Sequence, residues 1–156
     1  MREITVETPE KDLPSFWVAE EPKEIASSII KENHQARLGQ APILYLFRKK
    51  MKEAAKASAR SPKERAISAA LGVELDFLIE FDWSTWIVMD EESKEALVDH
   101  ELTHCAYTDR GDEIVPTTIE HYIEEFPEIV ERHGLWHSRL KKMADVMKRT
   151  TKPGEK

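Results

Sequence analysis

The first half of the chain contains short segments whose hydrophobic pattern predicts β-strands. Five consecutive apolar or aromatic residues, Ile43–Phe47, precede three basic residues and predict a buried strand. In residues 75–81, apolar side chains alternate with Asp76 and Glu80, which predicts a strand with one packed face and one solvated face. Residues 51–60 are rich in Ala and Lys and fit either a helix or a strand antiparallel to the first. Because the connection between two strands of a small sheet is short, we favour the strand.

The rest of the chain shows the apolar spacing that is typical of amphipathic helices. Pro22 and Gly39 suit the first turn and the end of one such helix. Thr117 and Glu120 have capping-box spacing at the start of another, which Pro127 should kink. The predicted helices cover residues 22–38, 66–71, about 92–107, 117–133 and about 135–149, with a short helix or turn at 83–89. A small sheet packed against several helices is an α+β fold.

Length and composition are those of a small globular protein. The 156 residues suffice for one domain with its own core, which we expect to span residues 21–149. Residues 1–20 should form an extended N-terminal arm and residues 150–156 a disordered tail. The single cysteine, Cys105, excludes an intramolecular disulfide and favours a reducing compartment. No apolar run approaches the roughly 20 residues of a membrane span, and the N-terminus lacks a signal-peptide core, so we expect a cytoplasmic protein with no membrane contact.

The formal net charge of −7 argues against a general nucleic-acid-binding protein. The charge is unevenly distributed, however, because residues 37–65 are basic, residues 91–131 are acidic, and the chain from Arg139 onward is basic again. Basic blocks of this size are most often solvated faces. They leave a nucleic-acid-associated factor as a minority alternative.

The pattern His-Glu-x-x-His at residues 100–104 is the strongest indication of chemistry in the chain. On a helix, His100 and His104 lie one turn apart on the same face and can occupy two corners of a tetrahedral zinc site. Glu101 is then placed to take a proton from a zinc-bound water rather than to bind the metal. The alternative is an ordinary amphipathic helix with two surface histidines. We favour a site for one zinc ion per chain.

A catalytic zinc site needs a third protein ligand and an open position for water. The downstream candidates are His121, Glu124, Glu125, His133 and His137. His121 and Glu124 are three residues apart on the polar side of their predicted helix, so either could face the motif across a cleft. His133 and His137 lie at and beyond a helix end, where surface or structural roles are more common.

Two other potential ligands are expected to have structural roles. Cys105 follows His104 directly and points to a different face of the helix, so we expect a small buried apolar residue. His34 lies on the predicted helix over residues 22–38, away from the motif, and is expected to be a surface histidine.

Three sequence blocks together resemble a known family. They are Asp-His-Glu-Leu-Thr-His-Cys at 99–105, His-Tyr-Ile-Glu-Glu-Phe at 121–126 and Arg-His-Gly-Leu-Trp at 132–136. The combination resembles the metallopeptidases encoded by bacteriophages and prophages, over roughly residues 40–140. The resemblance implies a zincin-like single domain, in which a small sheet packs against the active-site helix, and a zinc-dependent peptidase. Tyr122 departs from the family, where an acidic residue is common, which removes one candidate for a carboxylate near the metal.

The resemblance also bears on the third ligand and on substrate binding. His121 heads the second block and imidazole is the commoner zinc ligand, so we expect His100, His104 and His121 to hold the zinc, with Glu124 the second choice. In zincin-like folds an edge strand beside the active-site helix commonly holds extended substrate, and residues 75–81 are a candidate for it. A plain half-buried strand remains the more common explanation of that pattern.

The expected function is hydrolysis of peptide bonds in a peptide or protein substrate inside the host cell, with Glu101 as general base on a zinc-bound water. One alternative is a non-catalytic phage protein that zinc stabilises and that binds a host or phage protein. The other is the nucleic-acid-associated factor that the basic blocks would serve.

Overall fold

The computed structural model describes residues 13–150, which form two compact units. The first unit ends at Ile119 and contains the His-Glu-x-x-His motif, and the second begins at Glu120. The fold is mixed α+β, as predicted. Most of the predicted N-terminal arm and nearly all of the predicted tail lie outside the described residues. No helix within residues 13–150 combines the length and the apolar character needed to cross a membrane.

The first unit is built on a four-stranded mixed sheet. Its strands are β1 (Phe16–Val18), β2 (Ile43–Arg48), β3 (Ala55–Ala59) and β4 (Phe77–Asp82). The order across the sheet is β1-β2-β4-β3. Strands β2 and β4 run parallel, whereas β1 and β3 are antiparallel to their neighbours. All three segments for which a strand was favoured are therefore strands.

Strand β4 lies in the interior of the sheet, so the idea that it is an edge strand available to substrate is wrong. Its side chains Phe77, Ile79 and Phe81 are completely buried. The most apolar strands occupy the centre, while the Ala- and Lys-containing β3 occupies the edge, where exposed backbone and lysine are tolerated. β3 also pairs with β4 rather than with β2, because helix α3 (Pro62–Ala70) returns the chain so that β4 inserts between them.

The first predicted helix is confirmed, but it is not a regular α-helix throughout. Helix α1 (Glu20–Ile29) continues through a π-helical turn, Ile30–His34, into α2 (Gln35–Leu38). Pro22 lies in the first turn and Gly39 follows the last residue, as predicted. A π-helical turn adds a residue to the helix, and apolar spacing does not reveal it.

Helix α3 begins at Pro62, four residues before its predicted start. The hydroxyl of Ser61 accepts a hydrogen bond from the N–H of Glu64 (3.1 Å), and the Glu64 carboxylate accepts one from the N–H of Ser61 (2.9 Å). This reciprocal capping box satisfies two backbone donors that a helix otherwise leaves unpaired, and it fixes the start of α3 at this point.

The motif helix packs on the sheet through its apolar side. Helix α4 (Trp83–Trp86) leads into helix α5 (Glu91–His104). Val98 and Leu102 of α5 are completely buried, as their spacing requires, while Ala96 is exposed. An aromatic cluster completes the core beside them, made of Trp17, Phe47, Phe81, Trp83 and Trp86.

Helix α5 ends at His104, three residues earlier than predicted, and the chain passes directly into a β-hairpin. Strands β5 (Cys105–Asp109) and β6 (Ile114–Thr118) pair antiparallel, with Gly111 at φ +84° in the turn. The predicted capping box at Thr117 is therefore wrong, since Thr117 lies within β6. The β-branched and aromatic residues of both strands favour extended backbone once a pairing partner is present.

The second unit contains helices α6 (Pro127–His133) and α7 (Ser138–Arg149), which follow an irregular stretch, residues 120–126. Pro127 begins α6 instead of kinking a longer helix. In the first turn its missing N–H has no intrahelical partner to lose, and its fixed φ already suits the helix. Gly134, at φ +67°, ends α6 as predicted.

Asp82, at the end of β4, is a buried carboxylate that joins three segments. It accepts hydrogen bonds from the N–H groups of Met51 and Thr85 and from the hydroxyls of Ser84 and Thr85. Burial alone would raise the pKa of Asp82, but these hydrogen bonds outweigh it and lower the pKa below its ordinary value. We predict that Asp82→Asn lowers the free energy of unfolding by about 1–3 kcal/mol near neutral pH.

The pH dependence of this effect follows from the lowered pKa. The stabilisation is complete above the unfolded-state pKa of about 3.9 and is lost as the pH falls through the lower folded-state value. Urea unfolding of both proteins at several pH values should therefore give a difference that shrinks below about pH 4. Asp112→Asn, at an exposed position in the hairpin turn, is the control and should change stability little. A difference that stays constant down to acid pH would contradict the prediction.

Candidate metal centre

The two histidines of the motif lie on the same face of α5. The centroids of the His100 and His104 rings are 5.0 Å apart, with the ring planes at 78° to each other. His100 is exposed and His104 is half-buried. The i,i+4 spacing therefore produces the side-by-side arrangement of imidazoles that was expected of it.

Glu101 is buried beside His100. The residue is only 5% exposed, and its Oε2 lies 4.0 Å from Nε2 of His100. Glutamate is rarely buried to this extent unless its charge has a partner or a chemical role. The helix thus holds one carboxylate against the histidine face and out of bulk water.

The orientation of His104 is set by a backbone carbonyl. Nδ1 of His104 lies 2.6 Å from the carbonyl oxygen of Ile119, and the N–H of Ile119 donates to the carbonyl oxygen of His104 at 2.8 Å. Because a carbonyl oxygen can only accept, Nδ1 must carry the proton. The lone pair of the neutral ring is then on Nε2, and this is the arrangement that metal-binding histidines use.

His121, two residues beyond Ile119, completes a group of three imidazoles. One ring nitrogen each from His100, His104 and His121 lies within 4.8 Å of the others. Nitrogen ligands of a tetrahedral zinc ion, at Zn–N distances of about 2.0–2.1 Å, are separated by about 3.3 Å. Imidazole is a favoured zinc donor. The three imidazoles therefore form a group that can hold a metal ion.

The other predicted candidates stand in different surroundings. Glu124 lies near His121, with Oε1 4.0 Å from Nδ1 of that ring. His133 ends α6 and His137 caps α7, and neither belongs to a potential metal-binding group among the described residues. Cys105 is completely buried, as expected, and burial raises the pKa of its thiol to about 12.

The hydroxyl of Tyr107 has a partner away from the histidines. Tyr107 lies on β5 rather than on the motif helix, and its hydroxyl donates to Oδ2 of Asp76 at 2.7 Å. Burial, together with this hydrogen bond to Asp76, raises the pKa of Tyr107. The hydroxyl thus links the hairpin to the start of β4.

His34 is not the surface histidine that the sequence suggested. Its side chain is only 12% exposed, and Nε2 lies 2.7 Å from Oδ1 of Asp99, the residue before His100. A guanidinium N–H of Arg37 points to Nδ1 of His34 at 2.9 Å, and Arg37 also donates to the carbonyl oxygen of Leu102 at 3.2 Å. Because Arg37 can only donate, Nδ1 accepts and Nε2–H donates to the Asp99 carboxylate. Two side chains of the first helical segment thereby hold the motif helix.

A comparison with protein-family models identifies the family. The model described as "Putative phage metallopeptidase" matches residues 15–148, which is 134 of the 156 residues. The chain belongs to this family. The match to the phage metallopeptidase family includes the helix with His100 and His104, the residue His121 and both compact units. Comparisons with curated proteins and with solved structures gave no match.

The network around Arg37 gives a prediction on stability. We expect Arg37→Ala to lower the free energy of unfolding by about 1–3 kcal/mol, because it removes the donors to Leu102 and His34 from a partly buried position. Arg48→Ala is the control. Its side chain is 42% exposed and its contact with Glu80 is 3.5 Å long, so its loss should cost less than about 1 kcal/mol. Equal effects of the two substitutions in urea unfolding would argue against a structural role for the Arg37 network.

Proposed function

We propose that this member of the phage metallopeptidase family is a zinc-dependent peptidase whose metal is held by His100, His104 and His121. The observation that supports the proposal is the convergence of three imidazole nitrogens beside a buried glutamate. Three protein ligands are the number used by catalytic zinc sites, which keep a position for water, whereas structural sites are usually closed by four. The expected substrate is a peptide or protein.

Zinc at such a site supplies Lewis acidity, which polarises a carbonyl group and makes water more acidic. In our proposal, Glu101 takes a proton from the water that attacks the carbonyl carbon of the scissile peptide. The carboxylate then returns that proton to the amide nitrogen as the C–N bond breaks, which leaves a free amine and a free carboxylate. Burial keeps Glu101 close to the ligands, and the His104–Ile119 hydrogen bond keeps Nε2 of His104 oriented as a ligand.

His121 is preferred to Glu124 as the third ligand because its ring nitrogen belongs to the same close group as those of His100 and His104. In this arrangement Glu124, near His121, can accept a ring N–H and orient the imidazole. The buried free thiol of Cys105 suits a reducing compartment, so the cytoplasm of the host cell is the location that we propose.

The ligand assignment predicts one zinc ion per chain and a clear ranking of substitutions. His121→Ala should weaken zinc binding much more than Glu124→Ala, since the first removes a metal–ligand bond and the second removes only a supporting contact that typically changes affinity about 10–100-fold. Calorimetric titration of metal-free protein with zinc, checked by elemental analysis, measures both quantities. His133→Ala is the matched control, because that histidine is exposed at the end of α6 and should bind no zinc. If Glu124→Ala loses the metal while His121→Ala retains it, glutamate is the third ligand.

The catalytic assignment predicts that Glu101→Gln separates chemistry from metal binding. Gln keeps the size and polarity of the side chain but cannot act as a base near neutral pH, so peptide hydrolysis should fall by roughly 10²–10⁴-fold while zinc content is unchanged. Glu95→Gln, at an exposed position on the same helix, should leave the rate unchanged. The assay is cleavage of a peptide library and of host lysate proteins by each variant.

Cleavage that persists undiminished in zinc-loaded Glu101→Gln would overturn the assignment of Glu101. Zinc binding without cleavage in any wild-type assay would instead favour the alternative, a zinc-stabilised phage protein that binds a partner.

A further inference from the structure

A second candidate binding site lies in the first unit, along the outer side of the edge strand β3. It is a groove of about 590 Å³ that residues 56–62 and Arg65 line on one side. Arg110, Glu113 and residues 115–118 of the hairpin line the other side. We refer to it as the β3–β6 groove. Thr118, at one end, directly precedes Ile119, whose backbone is hydrogen-bonded to His104.

The charge of the β3–β6 groove is opposite to that of the protein. Its lining contains four basic side chains and one acidic side chain, although the whole chain has a formal net charge of −7. The five charged residues are Lys56, Arg60, Arg65, Arg110 and Glu113. Basic groups concentrated in a concave surface attract an anionic ligand and raise its local concentration.

Two of the arginines carry N–H groups that lack acceptors. The Nε atoms of Arg60 and Arg65 are buried and have no hydrogen-bond partner among the residues that the structure describes. Arg60 is held in place, since its two Nη atoms donate to Glu64 (2.9 Å) and to Ser58 (2.7 Å). Because these Nε atoms are enclosed by protein, a carboxylate in the groove would meet the Nη edge of Arg65, which can donate two parallel hydrogen bonds.

We propose that the β3–β6 groove binds a peptide segment that contains an acidic side chain, with Arg65 as the principal partner of the carboxylate. The groove is close to the metal centre, because it begins beside Ile119 and follows β6 for four residues, or about 13 Å. An acidic residue bound among the arginines would therefore lie within a few residues of a peptide bond at the histidines. In naming this substrate class the inference rests on the proposed peptidase function, but binding in the groove does not require cleavage.

A nucleic acid is the weaker alternative for the same groove. Affinity for a nucleic acid comes from many phosphate contacts along an extended basic surface. Here two acidic side chains, Glu64 and Glu113, lie among the four basic ones, and the net charge of the protein repels a polyanion. A single carboxylate requires only the local arginines.

The test measures binding separately from hydrolysis. The zinc-loaded full chain carrying Glu101→Gln is titrated against fluorescein-labelled, Ala-rich decapeptides that contain one Glu, and against the same peptides with Gln in its place. We expect at least one Glu peptide to bind roughly tenfold or more tightly than its Gln counterpart. Adding Arg65→Gln should abolish this preference, whereas Lys63→Gln, an equal change of charge at an exposed position on α3, should keep it.

Two further variants allow the proposal to be tested even if the Arg65→Gln protein misfolds. Arg110→Gln should also weaken binding of the Glu peptide, and Glu113→Gln should strengthen it, since it removes the one acidic side chain of the lining. Equal binding of Glu and Gln peptides, or a preference that survives both arginine substitutions, would overturn the proposal. Tighter binding of a ten-nucleotide single-stranded DNA, lost with Arg65→Gln, would overturn it in favour of a nucleic-acid site.

The outcomes separate this inference from the proposed peptidase function. Binding that depends on Arg65, in a protein whose wild type cleaves no peptide, would support the groove and count against the peptidase. Cleavage that depends on Glu101 but shows no preference for acidic peptides and no effect of Arg65→Gln would support the peptidase and reject the groove.

Discussion

The pair of hydrogen bonds between His104 and Ile119 organises the first unit around the candidate metal centre. His104 is the last residue of α5, and its carbonyl oxygen would otherwise be one of the unpaired acceptors at a helix end. The N–H of Ile119 satisfies it, while the Ile119 carbonyl accepts from the His104 ring. The same pair of hydrogen bonds therefore closes the end of the hairpin and orients the imidazole of His104. The register of the hairpin makes this contact possible, because pairing Cys105 with Thr118 brings Ile119 opposite His104.

Local sequence patterns predicted the elements of the first unit better than their arrangement. Strong apolar runs located β2 and β4, and proline and glycine correctly bounded the first helical segment. The order of the sheet could not be predicted in this way. It depends on which arrangement of the strands buries the most apolar surface. That is a property of the whole unit rather than of any one segment.

The largest error lay between His104 and Pro127, where two local patterns competed. Thr117 and Glu120 have the spacing of a helix cap, but the same stretch is rich in the β-branched residues that suit a strand. Pairing with β5 supplied the backbone partners that decided between them, and a pattern within one segment contains no information about that pairing.

The candidate site was predictable where a single helix determines it and unpredictable where it depends on distant contacts. The spacing of His100 and His104 defines their shared face, and the structure reproduces it. The contact between His34 and Asp99 joins residues 65 positions apart, so no local pattern could indicate it. The burial of Glu101 likewise results from packing of the helix against the rest of the unit.

Because the first helical segment contains the π-helical turn Ile30–His34, its contacts with the motif helix depend on the number of residues in that turn. The middle residues of the turn, Lys31–Asn33, are exposed, so packing places little restriction on their identity. Each residue of a helix rotates the following side chains by about 100°, and removing one from the turn would swing His34 and Arg37 around the axis and away from Asp99 and Leu102. A loop can absorb the loss of a residue, but this segment cannot. The number of residues in the turn therefore sets the direction in which His34 and Arg37 point toward the motif helix.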